Sequence, residues 1–451
     1  MTMKKQNLRY MKWIGKMIVL LFIFNFQFSI FDCSAQRVSL DECLEKALES
    51  NFSIKIIRNE ARMDKNNLNY STFLPTLEGT AKQTQTRNDT KTENSAGEVN
   101  KMSDVKTDNY TAGVALNWRI FDGLEMFTTH EKQKELLAMG ELAVQQAVEN
   151  LILNVSAAYY NVLVQHHKLM AARHSLELSN ERYDEARVRY KIGNRSGLEA
   201  QQAKIDLNTD SSTYVRQKEA LKSAYITLNK LMNTDLQMVN YVQDTILLGP
   251  QLVLGTLEQK TLAGNTTLLI AKKDQKISAL DLKNARAVLF PTLDFNSGYN
   301  YNKTDTPSSS TTLNRSNGFY WGFSLNVPIF SRLQNRTKIK NAKLELENTE
   351  LSYQEAEKET LGDLALMYNS YENNLLMVNF EIESASVAEA NLDAALEKYK
   401  IGSLSGIEFR EFQRSYIDAV DRKLSAIYQA KVSELSLLLL SGDIRGSFVS
   451  E

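Results

Sequence analysis

Apolar and polar residues alternate with a period of two along several stretches of the chain, which is typical of β-strands with one apolar face. The clearest stretches run from Tyr110 to Ile120, from Leu293 to Tyr301 and from Phe319 to Val327. A fourth, weaker strand is predicted after Pro75. Each alternating run has about ten residues, the length of a strand that crosses a bilayer at the tilt of a barrel. The pattern therefore predicts four transmembrane strands.

The segments between the paired strands, Thr84 to Asn109 and Asn302 to Gly318, are rich in Ser, Thr, Asn and Asp. They are predicted as exposed loops of a barrel. The alternative is a half-buried sheet in a soluble domain, but no compact apolar partner for the strands is visible elsewhere in the chain. Lipid is therefore the favoured neighbour of the apolar faces.

Two very long helices follow the strands. Gly123 to Met238 and Ser331 to Ser441 contain no proline, and Gly123 to Lys191 alone gives a helix of about 100 Å. A helix of that length needs a partner alongside it. Apolar residues on steps of three and four predict the contact seam. In the second helix the seam comprises Leu361, Leu364, Tyr368, Tyr371, Leu375, Val378, Ile382 and Ala385, and in the first Ile152, Val155, Tyr159, Val162, His166 and Leu169. The extra step of three from Ala385 to Ala388 predicts a local phase shift.

Three motifs occur twice in the same order, which predicts an internal duplication. They are FLPTLE at 73–78 and LFPTLD at 289–294, LNWRIF at 116–121 and LNVPIF at 325–330, and RYKIGNRSGLE at 189–199 and KYKIGSLSGIE at 398–408. The last two pairs share an offset of 209 positions.

The repeats give the predicted division of the chain. The segments are a signal peptide at 1–35, a first repeat at 36–235 (helix, β-hairpin 73–121, helical hairpin 123–233), a linker at 236–255, a second repeat at 256–441 (helix, β-hairpin 289–330, helical hairpin 331–440) and a tail at 442–451. The opening helix of the first repeat is predicted from about Leu40 to Ser71, with Ser39 and Glu42 as a capping box.

Each long helix is predicted to reverse at a glycine turn. Gly193 and Gly402 occupy the position where a helix ends in left-handed geometry. The following pairs, Ser196 with Glu199 and Ser405 with Glu408, fit capping boxes that start the returning helix. A reversal at these turns gives each long helix its partner.

The first 35 residues have the order of a secretory signal peptide, with a basic start, an apolar run and small residues ending at Ala35. After cleavage only Cys43 remains, so no intramolecular disulfide is expected. The net charge of −1 argues against nucleic acid as a partner. Four strands cannot close a barrel, since the smallest have eight, so the chain is expected to oligomerise as two or three copies.

The duplicated motifs and KIG turns resemble the outer-membrane efflux protein family, the TolC-like channels, over nearly all of the mature chain. The resemblance implies an α+β membrane protein, with long coiled-coil helical hairpins forming a periplasmic helical barrel. It also implies a homotrimer in which four transmembrane β-strands per chain contribute to a shared β-barrel in outer-membrane lipid. The implied partners are a periplasmic adaptor protein and, through it, an inner-membrane transporter of RND or ABC type. It implies no catalytic site and no cofactor.

The resemblance also implies two sets of site residues. Glu408, Glu411 and, in the first repeat, Glu199 are candidates for an acidic ring that narrows the periplasmic entrance. The alternative is that Glu199 and Glu408 only cap helices, and both roles could hold for Glu408. The candidate adaptor contacts at the turns are Gly193, Ser196, Gly402 and Ser405. For these glycines a plain helix turn is the alternative.

Other functions fit the sequence less well. Four histidines (His130, His166, His167 and His174) lie on one helix, but without clustered carboxylates or cysteines no metal site is expected. No catalytic motif is found. A trimeric surface coiled coil or adhesin without an open channel is the main alternative, and a stand-alone porin would lack such long helices. The substrate is not determined by the sequence. If one hairpin moves as a gate, the second is expected to be the one.

Overall fold

The computed structural model describes residues 38–93, 95–193, 196–239, 242, 245–307 and 312–446. The predicted signal peptide at 1–35 lies outside these residues. Two helices, two strands, a very long helix and a shorter helix occur in this order twice, which confirms the duplication. The elements of the first half are α1 (Leu40–Ser50), α2 (Phe52–Asn67), β1 (Thr76–Glu93), β2 (Val99–Phe121), α3 (Glu125–Lys191) and α4 (Gly197–Met232). Those of the second are α5 (Leu254–Gly264), α6 (Thr266–Ala287), β3 (Thr292–Asp305), β4 (Leu313–Asn326), α7 (Gln334–Lys400) and α8 (Gly406–Leu440).

The opening helix is two helices, so the prediction of one helix from Leu40 to Ser71 was wrong. The capping box of α1 is present: Ser39 N–H donates to Glu42 at 3.0 Å, and Glu42 N–H donates to Ser39 at 3.3 Å. The helix is then interrupted at Asn51. The side chain of Asn51 accepts a hydrogen bond from Ser53 N–H at 2.9 Å and caps α2. The strong preference of Asn for this position explains the break.

By their internal contacts the residues form two compact units. Unit 1 comprises the described residues up to Glu49, Asn154–Leu248 and Asn374–Lys431. Unit 2 comprises Ser50–Leu153, Gly249–Asn373 and the described residues from Val432. In the described part of the chain no helix is both long and apolar enough to cross a membrane.

Unit 2 contains an antiparallel sheet in the order β1-β2-β3-β4. The strands have 18, 23, 14 and 14 residues, so the prediction of about ten residues each was wrong. Much of the predicted loops belongs to strands, since β1 and β2 pair as far as Glu93 and Val99. The signal was missed because these extensions are polar on both faces, whereas pairing depends on backbone hydrogen bonds and on residues such as Thr that favour strands.

The register places the predicted apolar residues on one face of the sheet. Val114 lies opposite Tyr299, which lies opposite Phe319. Trp118 lies opposite Phe295, which lies opposite Phe323 with ring centroids 5.2 Å apart. We call this the apolar face and the opposite one, with Asn117, the polar face. β1 and β4 are the edge strands of the described sheet.

Unit 1 is helical and its core follows most of the predicted seam. Val155, Tyr159 and Val162 on α3 are fully buried, and Val378 and Ala385 on α7 are buried. The prediction that Ile382 belongs to the seam was wrong, because 44 % of this residue is exposed. Glu381 is buried in its place, and its carboxylate accepts a hydrogen bond from Arg422 Nε at 3.0 Å. The prediction of a phase shift between Ala385 and Ala388 was also wrong, because it depended on Ile382 as the preceding seam residue. The buried positions alternate steps of three and four without interruption at Val378, Glu381, Ala385, Ala388, Leu392, Ala395 and Tyr399.

Candidate entrance and docking site

The two glycine turns have the predicted geometry. Gly193 and Gly402 have φ of +80° and +82°, a conformation that costs glycine nothing. At the end of α7, Gly402 N–H donates to Tyr399 O and Ser403 N–H donates to Lys398 O, each at 3.0 Å. This pair of bonds is the Schellman motif, which satisfies the last carbonyls of a helix. A Cβ at either glycine would meet no atom of the described residues within 4 Å, so in that part of the chain both turns border open space.

The helix that follows the second turn starts with a complete capping box. Ser405 N–H donates to Glu408 Oε2 at 2.9 Å, and Glu408 N–H donates to Ser405 Oγ at 3.2 Å. After the first turn, Ser196 Oγ accepts from Leu198 N–H at 3.2 Å and caps α4. Hydrogen bonding of the carboxylate by the side chain and then by the backbone N–H of Ser405 lowers the pKa of Glu408 from its ordinary value. The cap therefore stabilises the fold above the ordinary pKa of a glutamate, and this contribution is lost as the pH falls through the lowered pKa.

The three acidic candidates have different surroundings. Glu408 is exposed but engaged in the cap. Glu411, one turn further along α8, is exposed and forms no hydrogen bond or ion pair with any described residue. Glu199 is half-buried, with Oε1 3.5 Å from the position of a Cβ on Gly406. Of the three, Glu411 is therefore the exposed carboxylate that has no partner among the described residues.

Arg189 of α3 brings the two turns side by side. Its guanidinium donates to Lys400 O at 3.3 Å and Tyr399 O at 3.4 Å, and lies 5.3 Å from the centre of the Tyr399 ring. A cation at the C-terminus of a helix is favourable because the last carbonyls carry partial negative charge. The adjoining turns thus form one surface within unit 1, which contains all four candidate adaptor contacts.

An apolar cluster supports these turns. Tyr399 stacks on Phe409 with ring centroids 5.3 Å apart. Both aromatic side chains are buried and pack in one cluster with Leu178 and Leu392. Burial raises the pKa of Tyr399. The last turn of α7 and the first turn of α8 are therefore held as one rigid piece.

A buried polar network, which we call the polar clasp, joins α3, α4 and α8 in unit 1. Arg410 Nη1 and Nη2 donate to Asp210 Oδ2 and Oδ1 at 2.6 and 2.8 Å. Gln413 is fully buried and donates to Ser175 O at 2.8 Å and Ser179 Oγ at 3.0 Å. Burial opposes the charge of Arg410, but the hydrogen bonds that its guanidinium donates to Asp210 outweigh burial and raise the pKa of Arg410. A two-pronged pair of this kind fixes the relative position of the two helices that carry it.

Sequence reasoning located the turns but missed the polar clasp. The turns carry a local signal, a glycine at the end of one helix and a capping box at the start of the next. Asp210, Arg410 and Gln413 carry none, because charged and amide residues are common on exposed helix faces. Their only regularity is the spacing of Arg410 and Gln413, which places both on one face of α8.

Long helical hairpins together with a sheet that has one apolar face define the class of outer-membrane export channels. The family model for outer membrane efflux proteins matches residues 43–234 and 257–443, which is most of the chain and reflects its duplication. The chain belongs to the outer membrane efflux protein family.

Known proteins similar to this chain support that assignment. It is 23 % identical over 335 residues to the cation efflux system protein CusC of Escherichia coli K12, covering 71 % of this chain and 70 % of CusC. It is 20 % identical over 343 residues to the outer membrane protein TolC of the same strain, covering 72 % and 68 %. The fold is that of the CmeC outer membrane channel of Campylobacter jejuni, with a TM-score of 0.76, 18 % identity and coverage of 90 % and 86 %.

The family is made up of channels, not enzymes, and its members are trimers that work with adaptors and inner-membrane pumps. This chain is an outer-membrane exit duct for efflux. The predictions of family, fold class and channel function are confirmed. The alternative of a surface coiled coil without an open channel is set aside.

Proposed function

We propose that this chain forms a homotrimer whose sheets join into one twelve-stranded barrel, after export with cleavage behind Ala35. The observation that carries the proposal is the sheet, which has an apolar face and edge strands β1 and β4. Unpaired edges cost several kcal/mol per group in lipid, so β4 of one copy pairs with β1 of the next. Twelve strands enclose an open lumen, whereas eight are filled by side chains.

The adjoining turns are the proposed contact for the periplasmic adaptor, which connects the duct to an inner-membrane transporter of RND or ABC type. Open space around Gly193 and Gly402 supports this contact, because no atom of the described residues lies within 4 Å of a Cβ placed on either glycine. In this arrangement the inner-membrane transporter, and not the duct, selects the substrate.

Conductance across planar lipid bilayers tests the duct directly. The purified trimer is expected to give discrete conductance steps, both as the wild type and with Glu408 and Glu411 replaced by glutamine. A trimer that gives no conductance in either form would refute the proposal.

The variant Gly402→Asp is expected to abolish export while the trimer stays intact. The new carboxylate projects into open space, so it disturbs the docking surface and not the core. An unpaired charge in an interface costs several kcal/mol, or roughly 100-fold or more in affinity. Binding of the adaptor by surface plasmon resonance and extrusion of a substrate by cells measure the two effects.

Gly97→Asp is the matched control for strain. Gly97 lies between β1 and β2, has φ of +82° like Gly402, and also has nothing within 4 Å of a Cβ. Export by this variant should be normal. Normal export by Gly402→Asp, or an equal loss in both variants, would count against docking at the turns.

We further propose that Glu411, rather than Glu408, forms the acidic ring of the entrance. Three copies of an unpaired carboxylate near one axis favour cations. Glu411→Gln is expected to lower the cation-to-anion permeability ratio roughly two- to fivefold in low salt, and less in high salt because salt screens the ring. Glu408→Gln, which keeps a side chain able to cap the helix, should have a smaller effect. Equal ratios in wild type and Glu411→Gln, from reversal potentials, would exclude the ring.

A further inference from the structure

A row of polar and basic side chains lies across the sheet where its apolar face ends. In register, Gln83 lies opposite Tyr110, Tyr110 opposite Lys303, and Lys303 opposite Arg315. We call these four residues the outer basic row. The next rows toward the helices carry Tyr301 and then Tyr299 with Phe319.

Strand alternation fixes the face on which this row lies. Side chains two positions apart on a strand share a face. Lys303 therefore points to the same side as Tyr301 and Tyr299, and Arg315 to the same side as Phe319. Lys82 pairs with Thr111, one position away from Gln83 and Tyr110, so it lies on the polar face. The outer basic row thus faces the surroundings of the barrel and not its lumen.

The two cations of the row are available for an outside partner. Lys303 Nζ lies 5.3 Å from the centre of the Tyr110 ring, and within the described residues neither Lys303 nor Arg315 forms an ion pair. Two basic residues further out on β1 and β2 are each paired with an acidic residue, Lys106 with Asp108 at 3.2 Å and Arg87 with Asp104 at 3.7 Å.

Neutral hydrogen-bonding groups line the row and the aromatic rows beneath it. Gln83 Nε2 donates to Tyr110 Oη at 2.9 Å, and Asn317 Nδ2 donates to Tyr299 Oη at 2.6 Å. Each amide keeps a second N–H for a further acceptor.

In the next row out on the same face, Asp305 lies opposite Asp108, which is paired with Lys106 and also attracts Lys303. These two carboxylates are outnumbered by the three cations Lys106, Lys303 and Arg315, so this group of charges keeps one net positive charge.

The depth of the row identifies its partner. Aromatic girdles mark the level where the hydrocarbon of the bilayer meets the headgroups. Lys and Arg just beyond that level attract anionic lipids, and a guanidinium binds phosphate oxygens in pairs. We propose that Lys303 and Arg315 bind the phosphate of a phosphorylated lipid headgroup in the outer leaflet. This inference rests on the proposed placement of the apolar face in lipid.

Lipid binding to the purified trimer tests the site. The trimer is placed in micelles of a maltoside detergent, which contains no phosphate, with lipid A that has both phosphates or with dephosphorylated lipid A, and bound lipid is counted by native mass spectrometry. The double variant Lys303→Gln/Arg315→Gln is expected to bind the phosphorylated lipid roughly 30-fold more weakly. Lys82→Gln, at the same depth on the polar face, should bind like the wild type.

Three outcomes would overturn the site, and the first two are undiminished binding by the double variant and an equal loss in Lys82→Gln. Wild-type binding that does not depend on the phosphates would overturn it as well. Conductance of the same protein variants in planar bilayers separates this result from the proposed function. A conducting double variant that has lost only lipid binding keeps the duct and supports the site, whereas a non-conducting wild type refutes the duct itself.

Discussion

Replacing Arg410 with alanine is expected to destabilise unit 1 by about 3–5 kcal/mol, because it leaves the carboxylate of Asp210 buried without its partner. Only 9 % of the Asp210 side chain and 16 % of the Arg410 side chain are exposed, so water cannot compensate the charge. The loss is measured as a lower guanidinium midpoint of the helical circular dichroism signal, at unchanged slope.

Two comparisons define the origin of that loss. Arg173→Ala breaks an exposed pair with Glu177 in the same unit and should cost at most about 1 kcal/mol. The double variant Asp210→Ala/Arg410→Ala should lose less than the sum of the single variants, because neither charge is then left alone. Additive losses would show that the pair is not coupled, and a loss in Arg410→Ala no larger than in Arg173→Ala would show that Asp210 is not buried in the assembled channel.

Replacing Phe323 with arginine is expected to impair insertion of the barrel by about 2–4 kcal/mol, the cost of a cation on the lipid-facing side near the middle of the bilayer. Phe323 lies in the row of Trp118 and Phe295, well within the apolar face, and 61 % of it is exposed in the single chain. The yield of trimer in isolated outer membranes measures the effect.

Ser324→Arg is the matched control, one position along β4 and therefore on the polar face. It lies opposite Asp294, which already accepts from Arg119 Nε at 2.9 Å. A cation there should be tolerated, because the lumen contains water and Asp294 offsets the charge. If Ser324→Arg lowers the yield as much as Phe323→Arg, the faces have been assigned the wrong way round.

The local signals in the sequence were sufficient for the elements near the turns. A glycine that can adopt φ of +82°, followed by Ser405 and Glu408, specifies a helix stop and a helix start within a few residues. The alternating strands were found for a similar reason, since each face repeats its polarity every second residue. Interactions between residues a few positions apart can be predicted directly from the order of the residues.

Other features of the fold can be recognised only when the tertiary contacts of their residues are known. The polar extensions of β1 and β2 look like loops in the sequence, because only backbone pairing shows that they are strands. The choice between Ile382 and Glu381 for the seam of α7 was decided by Arg422 on α8, which provides a partner for the buried carboxylate. No periodicity could show that an acidic residue displaces an isoleucine from the core.

The sequence by itself therefore determined the duplication, the long paired helices, the four strands and the two glycine turns, which occur once in each repeat. Tertiary structure alone decided which charges are buried and which are free, as in Arg410 with Asp210 and the unpaired Glu411. The physical reason is range: helix caps, turns and periodicity act over a few residues, whereas Arg410 and Asp210 meet across 200 positions of the chain.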